Sequence, residues 1–105
     1  MGADGPVRRT TLAEPTAQPS RKGTLLVVDD EDTVRQSLRV IFKDSYQILM
    51  AGDGATAIEI ARKTKVDVAI LDIKMAAMSG IEVLERLKWV DPSIEVVMLT
   101  AFETT

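Results

Sequence analysis

The sequence predicts an α/β fold built on a parallel sheet, and three observations predict it. The first is the run Val66-Asp67-Val68-Ala69-Ile70-Leu71-Asp72, mostly apolar and branched, with a polar break at Asp67 and no helical rhythm. It reads as a strand buried on both faces, as in the middle of a parallel sheet. The second is the alternation of such runs with helix-patterned segments, which encodes parallel strands joined by right-handed crossovers. The third is how three runs stop. Leu25-Leu26-Val27-Val28 stops at Asp29-Asp30, the central run at Asp72, and Ile94-Glu95-Val96-Val97-Met98-Leu99 at Thr100. In open α/β sheets the carboxyl edge of the strands is where ligands bind.

The elements follow in order. Met1 to Gly23 is rich in Pro, Gly, Ser, Thr and Gln, with only Val7 and Leu12 as large apolar residues. This is linker composition, expected to be disordered. Arg8, Arg9, Arg21 and Lys22 make it mildly basic, which reads as a solvated leader. From Thr24 the pattern changes, and residues 24–105 form the domain. Leu25 to Val28 is a buried strand. Asp30-Glu31-Asp32 opens a helix with negative charge at its N-terminus, where the macrodipole favours it. Val34, Leu38, Ile41 and Phe42 form its apolar stripe, and Arg35, Gln36 and Arg39 are expected to face water. Asp44-Ser45 breaks it. Tyr46, Ile48 and Met50 alternate with Gln47, Leu49 and Ala51 in a second strand. After the turn Gly52-Asp53-Gly54, a second helix is expected over Ala55 to Lys65, with Ile58 and Ala61 inward and Arg62, Lys63 and Lys65 at its cation-favouring end. The central strand and a loop from Lys74 to Met78 come next. Ser79 and Glu82 form an S-x-x-E capping box for a third helix, whose stripe is Val83, Leu84, Leu87 and Val90 and which Asp91-Pro92 ends. The fourth strand runs to Leu99. There are no internal repeats.

Composition narrows the chemistry. The 105 residues suit one domain, with 28% charged and 46% hydrophobic residues, an ordinary balance. A net charge of −3 offers no basic face for nucleic acid. The absence of cysteine and histidine removes disulfides, thiolate and imidazole metal sites, and histidine as a base. No run approaches the ~20 apolar residues that span a bilayer, and no signal-peptide core is present, so a cytoplasmic location is expected. Neither G-x-G-x-x-G nor G-K-[ST] occurs, which leaves a nucleotide enzyme unsupported.

If the first, third and fourth strands are neighbours, Asp29, Asp30, Asp72 and Thr100 converge at one crevice. Clustered carboxylates repel and stay ionised at neutral pH only where a cation compensates. With no soft ligands available, Mg²⁺ is the natural ion, since it takes one or two carboxylates and completes its shell with water and phosphate oxygen. A carboxylate beside Mg²⁺ can also be a nucleophile toward a phosphoryl group, and Thr100 could donate its hydroxyl to a phosphate oxygen. Each residue alone has a plainer reading: Asp29-Asp30 as a helix cap, Asp72 as a turn former, Thr100 as a strand residue. Their joint placement at strand ends is the informative feature.

Leu25-Leu26-Val27-Val28-Asp29-Asp30-Glu31, Leu71-Asp72-Ile73-Lys74-Met75 with Met78-Ser79-Gly80, and Met98-Leu99-Thr100-Ala101 resemble the signatures of response-regulator receiver domains of two-component signalling. The resemblance runs from Thr24 to Thr105. It implies a flavodoxin-like doubly wound parallel sheet of strand order 2-1-3-4, with the family's fifth strand and last two helices missing. It implies that Asp72 is the phosphoacceptor, that Asp30 binds Mg²⁺ with Asp29 helping through water, and that the backbone carbonyl of Lys74 is a further ligand. Thr100 matches the switch hydroxyl and Ala101 the small residue that leaves the phosphoryl group room. The implied partners are a sensor histidine kinase or phosphotransfer protein and an output domain in a longer parent chain, with no direct nucleic acid or membrane contact.

Two departures stand out. Ala76 replaces the family's usual proline, which bears on the rigidity of the loop. The family's phosphate-pairing lysine and switch aromatic lie on elements absent here. A protein-interaction module that is never phosphorylated is therefore an alternative. A Mg²⁺-dependent phosphatase with an aspartate nucleophile is a second, disfavoured because Lys74 stands where such enzymes carry an acid. The chain is expected to signal rather than to act as an enzyme. Alone in solution it is expected to aggregate, to pair with a second copy through an exposed fourth strand, or to be molten.

Overall fold

The computed structural model of the chain describes residues 22–99. The linker-like segment as far as Arg21, and Thr100 onward, lie outside the described residues. The elements are β1 (Gly23–Val28), α1 (Asp32–Phe42), β2 (Tyr46–Ala51), α2 (Gly54–Lys63), β3 (Val68–Asp72), α3 (Gly80–Val90) and β4 (Glu95–Leu99). The strands form one parallel sheet in the order β2-β1-β3-β4, as the flavodoxin-like reading required. In register, Val28 lies beside Ala51 and Leu71, and Asp72 beside Leu99. The carboxyl ends of β1, β3 and β4 are therefore level and adjacent.

Alternation along the strands divides the core into two layers. Leu26, Val28, Ala69 and Leu71 point to the face covered by α2 and α3, where Ala57, Ala61, Val83 and Leu87 close the layer with Val66 and Ile94. Leu25, Val27 and Ile70 point to the other face, under Leu38 and Phe42 of α1 and beside Tyr46, Ile48 and Met50 of β2. Phe42 and Tyr46 meet edge to face, their centroids 6.1 Å apart. β1 is thus buried on both sides, as its apolar run predicts. Leu25, Leu26, Leu71 and Leu87 are fully buried, each contributing roughly 1.5–3 kcal/mol.

Local chemistry adjusts several boundaries. α2 begins at Gly54 because the Asp53 carboxylate accepts the Thr56 N–H at 2.7 Å, and it ends at Lys63 because Thr64 turns extended. Lys65 therefore lies beyond the helix and donates to Asp91 Oδ2 at 3.0 Å and Ser93 Oγ at 2.6 Å. β3 begins at Val68 rather than Val66, and the Asp67 carboxylate accepts the Thr24 N–H at 2.7 Å. Half of the expected capping box forms: Ser79 Oγ accepts the Glu82 N–H at 3.2 Å, while the Glu82 carboxylate turns to Arg86.

α1 packs mainly on β1 and β2. The margin of its stripe that carries Ile41 faces no other helix among the described residues, and Ile41 is 66% exposed rather than buried. The opposite margin turns inward, and the Arg35 side chain, expected in water, is only 19% exposed. No helix among the described residues is long and apolar enough to cross a membrane.

Candidate functional site

The end of β1 delivers two carboxylates. Asp29 stays in the sheet, its N–H donating to Ala51 O at 3.1 Å, and the residue is 5% exposed. Its Oδ1 accepts the Glu31 N–H at 2.9 Å, which bends the chain toward α1. Asp30, one position on, is exposed. β3 delivers the third carboxylate. Asp72 is half-buried, and its Oδ1 accepts the Lys74 N–H at 3.1 Å. One carboxylate oxygen from each of Asp29, Asp30 and Asp72 lies within 4.8 Å of the others. The crossover connections bring together acids more than forty positions apart.

Burial pushes the Asp29 carboxyl above its ordinary range, as do the charges of Asp72, Asp30 and Glu31, against the lowering effect of the Glu31 N–H. The donor set fits Mg²⁺. All three groups are hard oxygens lying within 4.8 Å of one another, and two ligands on opposite sides of Mg²⁺ at about 2.1 Å each are about 4.2 Å apart. A divalent ion would remove the repulsion that acts on Asp29.

The expected residues are placed as follows. Asp29, Asp30 and Asp72 converge. Lys74 is exposed beside Asp72, and the contact that places it is made by its backbone N–H. Thr100 and Ala101 lie outside the described residues. Two surface cavities lie elsewhere, one along α2 at Ala55, Glu59 and Lys63, the other between α2 and α3 at Arg62, Glu85 and Trp89. Neither includes an acid of the cluster.

Two residues near the acids make contacts that the sequence did not announce, although Gly80 stands in the Met78-Ser79-Gly80 motif and Arg35 was expected to face water. Arg35 donates from Nη1 to Asp29 O at 2.6 Å and from Nη2 to Asp32 Oδ1 at 3.1 Å. Gly80 begins α3 against the end of β3, its N–H donating to Ile73 O at 3.0 Å. A glycine directly behind a helix cap is the available signal for the second, since glycine there often marks a close backbone approach. No residue-type signal marks the first.

The family described as response regulator receiver domain matches residues 25–105. Sporulation initiation phosphotransferase F of Bacillus subtilis is 39% identical over 79 residues, covering 74% of this chain and 64% of that protein. The nitrate/nitrite response regulator NarP of Escherichia coli is 31% identical over 84 residues, covering 77% of this chain and 39% of that protein. The chain thus spans less than two thirds of the length of these relatives. Among solved structures, a chemotaxis protein CheY4 of Vibrio cholerae superposes with a TM-score of 0.74 at 29% identity, covering 80% of this chain and 72% of that one. A response regulator of Thermotoga maritima in complex with Mg²⁺-BeF superposes with a TM-score of 0.70 at 32% identity, covering 77% and 71%.

Proposed function

This chain belongs to the response regulator receiver domain family, and on that premise we propose that it is a phosphoacceptor module in which Asp72 takes a phosphoryl group from a phosphohistidine. The observation that carries the proposal is the convergence of Asp29, Asp30 and Asp72 at adjacent, level strand ends. The Lys74 N–H holds Asp72 Oδ1, which leaves Oδ2 to attack. Its P–O bond forms as the P–N bond breaks, and the electron pair goes to the imidazole nitrogen, which takes up a proton. Asp30, Asp29 and the Lys74 carbonyl are the residues to hold Mg²⁺, Asp30 directly and Asp29 through water. The ion, when bound, neutralises charge on the phosphoryl oxygens. The Thr100 hydroxyl is assigned to the phosphorylated state as the switch donor.

In this reading the module signals and carries no turnover of its own. The Bacillus relative is named a phosphotransferase and the Thermotoga relative is a Mg²⁺ complex, both consistent with the assignment. The partners are a histidine kinase or phosphotransfer protein and an output domain in a longer parent chain, acting in the cytoplasm. The test is intact mass after incubation with acetyl phosphate or a phosphorylated kinase and Mg²⁺. Wild type is expected to gain one phosphoryl group and Asp72→Asn none. Equal labelling of the two would overturn the assignment.

A further inference from the structure

The loop that carries Asp29 and Asp30 is held by a cation that bonds its backbone rather than the clustered carboxylates. Arg35 sits one turn into α1, and its half-buried guanidinium donates to the backbone carbonyl of Asp29 and to the Asp32 carboxylate. It lies against the turn after β2, where a Cβ added at Gly52 would come within 3.3 Å of Nη1. The groups that act on the Asp29 carboxyl are the protein interior, the Glu31 N–H and the neighbouring acids. Arg35 bonds the backbone carbonyl of Asp29 and the carboxylate of Asp32, not a carboxylate of the cluster.

What it fixes is direction. The carbonyl of Asp29 and the N–H of Asp30 share one peptide plane. A donor on that oxygen sets the plane, and with it the line on which Asp30 leaves the strand. The Glu31 N–H on Asp29 Oδ1 sets the following peptide. We propose that Arg35 is a positioning residue for the metal-binding loop: its planar fork, anchored on Asp32, holds the Asp29 peptide so that the Asp29 and Asp30 carboxylates both face Asp72. Lysine, a point donor, cannot hold both partners in this geometry. The proposal rests on the reading of the acids as a Mg²⁺ site.

The test uses the full chain labelled with ¹⁵N, first metal-free and then titrated with MgCl₂, for wild type, Arg35→Met, Arg35→Lys and the control Arg39→Met. Arg39 is exposed and bonds only Gln36 among the described side chains. In metal-free protein, Arg35→Met is expected to move the amide signals of Asp30 and Glu31, and Arg39→Met to leave them. The Mg²⁺ dissociation constant is expected to rise roughly 10- to 100-fold in Arg35→Met, as for other groups that orient metal ligands. It should rise nearly as much in Arg35→Lys, which carries the comparison if Arg35→Met does not fold. Unmoved amides, or Mg²⁺ affinity lost equally in Arg39→Met, would overturn the proposal. Moved amides in a protein that binds no Mg²⁺ even as wild type would overturn the metal reading while supporting the positioning role.

Discussion

Replacing Gly80 with alanine adds a single methyl group, and the fold predicts a large response. A Cβ at Gly80 would fall on the carbonyl oxygen of Asp72, with Ile73 Cα at 2.8 Å and the Asp72 carbonyl carbon at 3.0 Å. All three are backbone atoms, so no side chain can swing aside. Ordinary contact begins at 3.4 Å, and the start of α3 must lift away or the end of β3 must bend. The Gly80 N–H to Ile73 O bond ties the two together and resists either movement. Forcing a methyl group into packed structure costs roughly 1–3 kcal/mol. The helix propensity of alanine returns at most about 1 kcal/mol, and less in a first turn. A net loss of about 1–2 kcal/mol lowers the melting temperature of a domain this size by roughly 4–16 °C. The strained atoms belong to Asp72, the proposed phosphoacceptor, and misplacement by about 1 Å can cost ~100-fold in rate. Labelling by acetyl phosphate and Mg²⁺ should therefore slow by roughly 10- to 100-fold in protein that is still folded. Gly54→Ala is the control, because its Cβ would meet side-chain atoms instead, Val83 Cγ2 at 2.7 Å and Met78 Sδ at 2.8 Å. It should lower stability without slowing the labelling. Thermal unfolding followed by circular dichroism, with a mass time course below both transitions, reads the pair. An unchanged melting temperature and rate in Gly80→Ala, or equal slowing in Gly54→Ala, would refute the reasoning.

Three further outcomes follow from the same structure. The folded Asp29 carboxyl titrates above its ordinary value of 3.8, so its contribution to stability is full below that pH and is lost as pH rises through the folded value. Metal-free Asp29→Asn should therefore have a higher urea midpoint than wild type at pH 7, a gap that closes below about pH 4, and less stabilisation by Mg²⁺. The Asp91 carboxyl is held at about 2 by hydrogen bonds from the Ser93 hydroxyl and N–H and from Lys65. Its contribution is present above 3.8 and is lost as pH falls through about 2, so Ser93→Ala should unfold at a higher pH than wild type during acid titration. Val97 on β4, the edge strand of the described sheet, is 48% exposed; Val97→Lys should reduce concentration-dependent light scattering several-fold, and unchanged scattering would count against self-association through that edge.

The strands were legible because burial on two faces leaves an apolar run with no helical rhythm, as in Leu25 to Val28. The acids were legible singly, as strand terminators. Their convergence depends on strand order, which residue periodicity does not encode and which the motif resemblance supplied. Other features depended on tertiary partners. Ile41 lies in the stripe by periodicity, yet α1 packs mainly on β1 and β2, and among the described residues nothing buries that margin. Arg35 reads as a solvated cation, yet its main partner is a backbone carbonyl, which no sequence pattern announces. Glu82 had two acceptable partners, Ser79 and Arg86, and the side-chain pair one turn along prevailed.

The two loops of the acid cluster are secured by different means. The β3–α3 loop is tied through backbone groups: Lys74 N–H on the Asp72 carboxylate, Gly80 N–H on Ile73 O, and a helix start so close that no Cβ fits. The β1–α1 loop is tied by one long side chain, Arg35, together with the short Asp29–Glu31 turn. A side-chain tie can be weakened without moving a strand, and a backbone tie cannot. On the proposed function, substitution tunes metal affinity through the first loop while Asp72 keeps its place, whereas changes in the second loop act on Asp72 and on stability together. The burial that pushes the Asp29 carboxyl upward gives this division its physical basis. The first loop holds a carboxyl that burial and then the neighbouring acids push upward, and the second holds the proposed nucleophile.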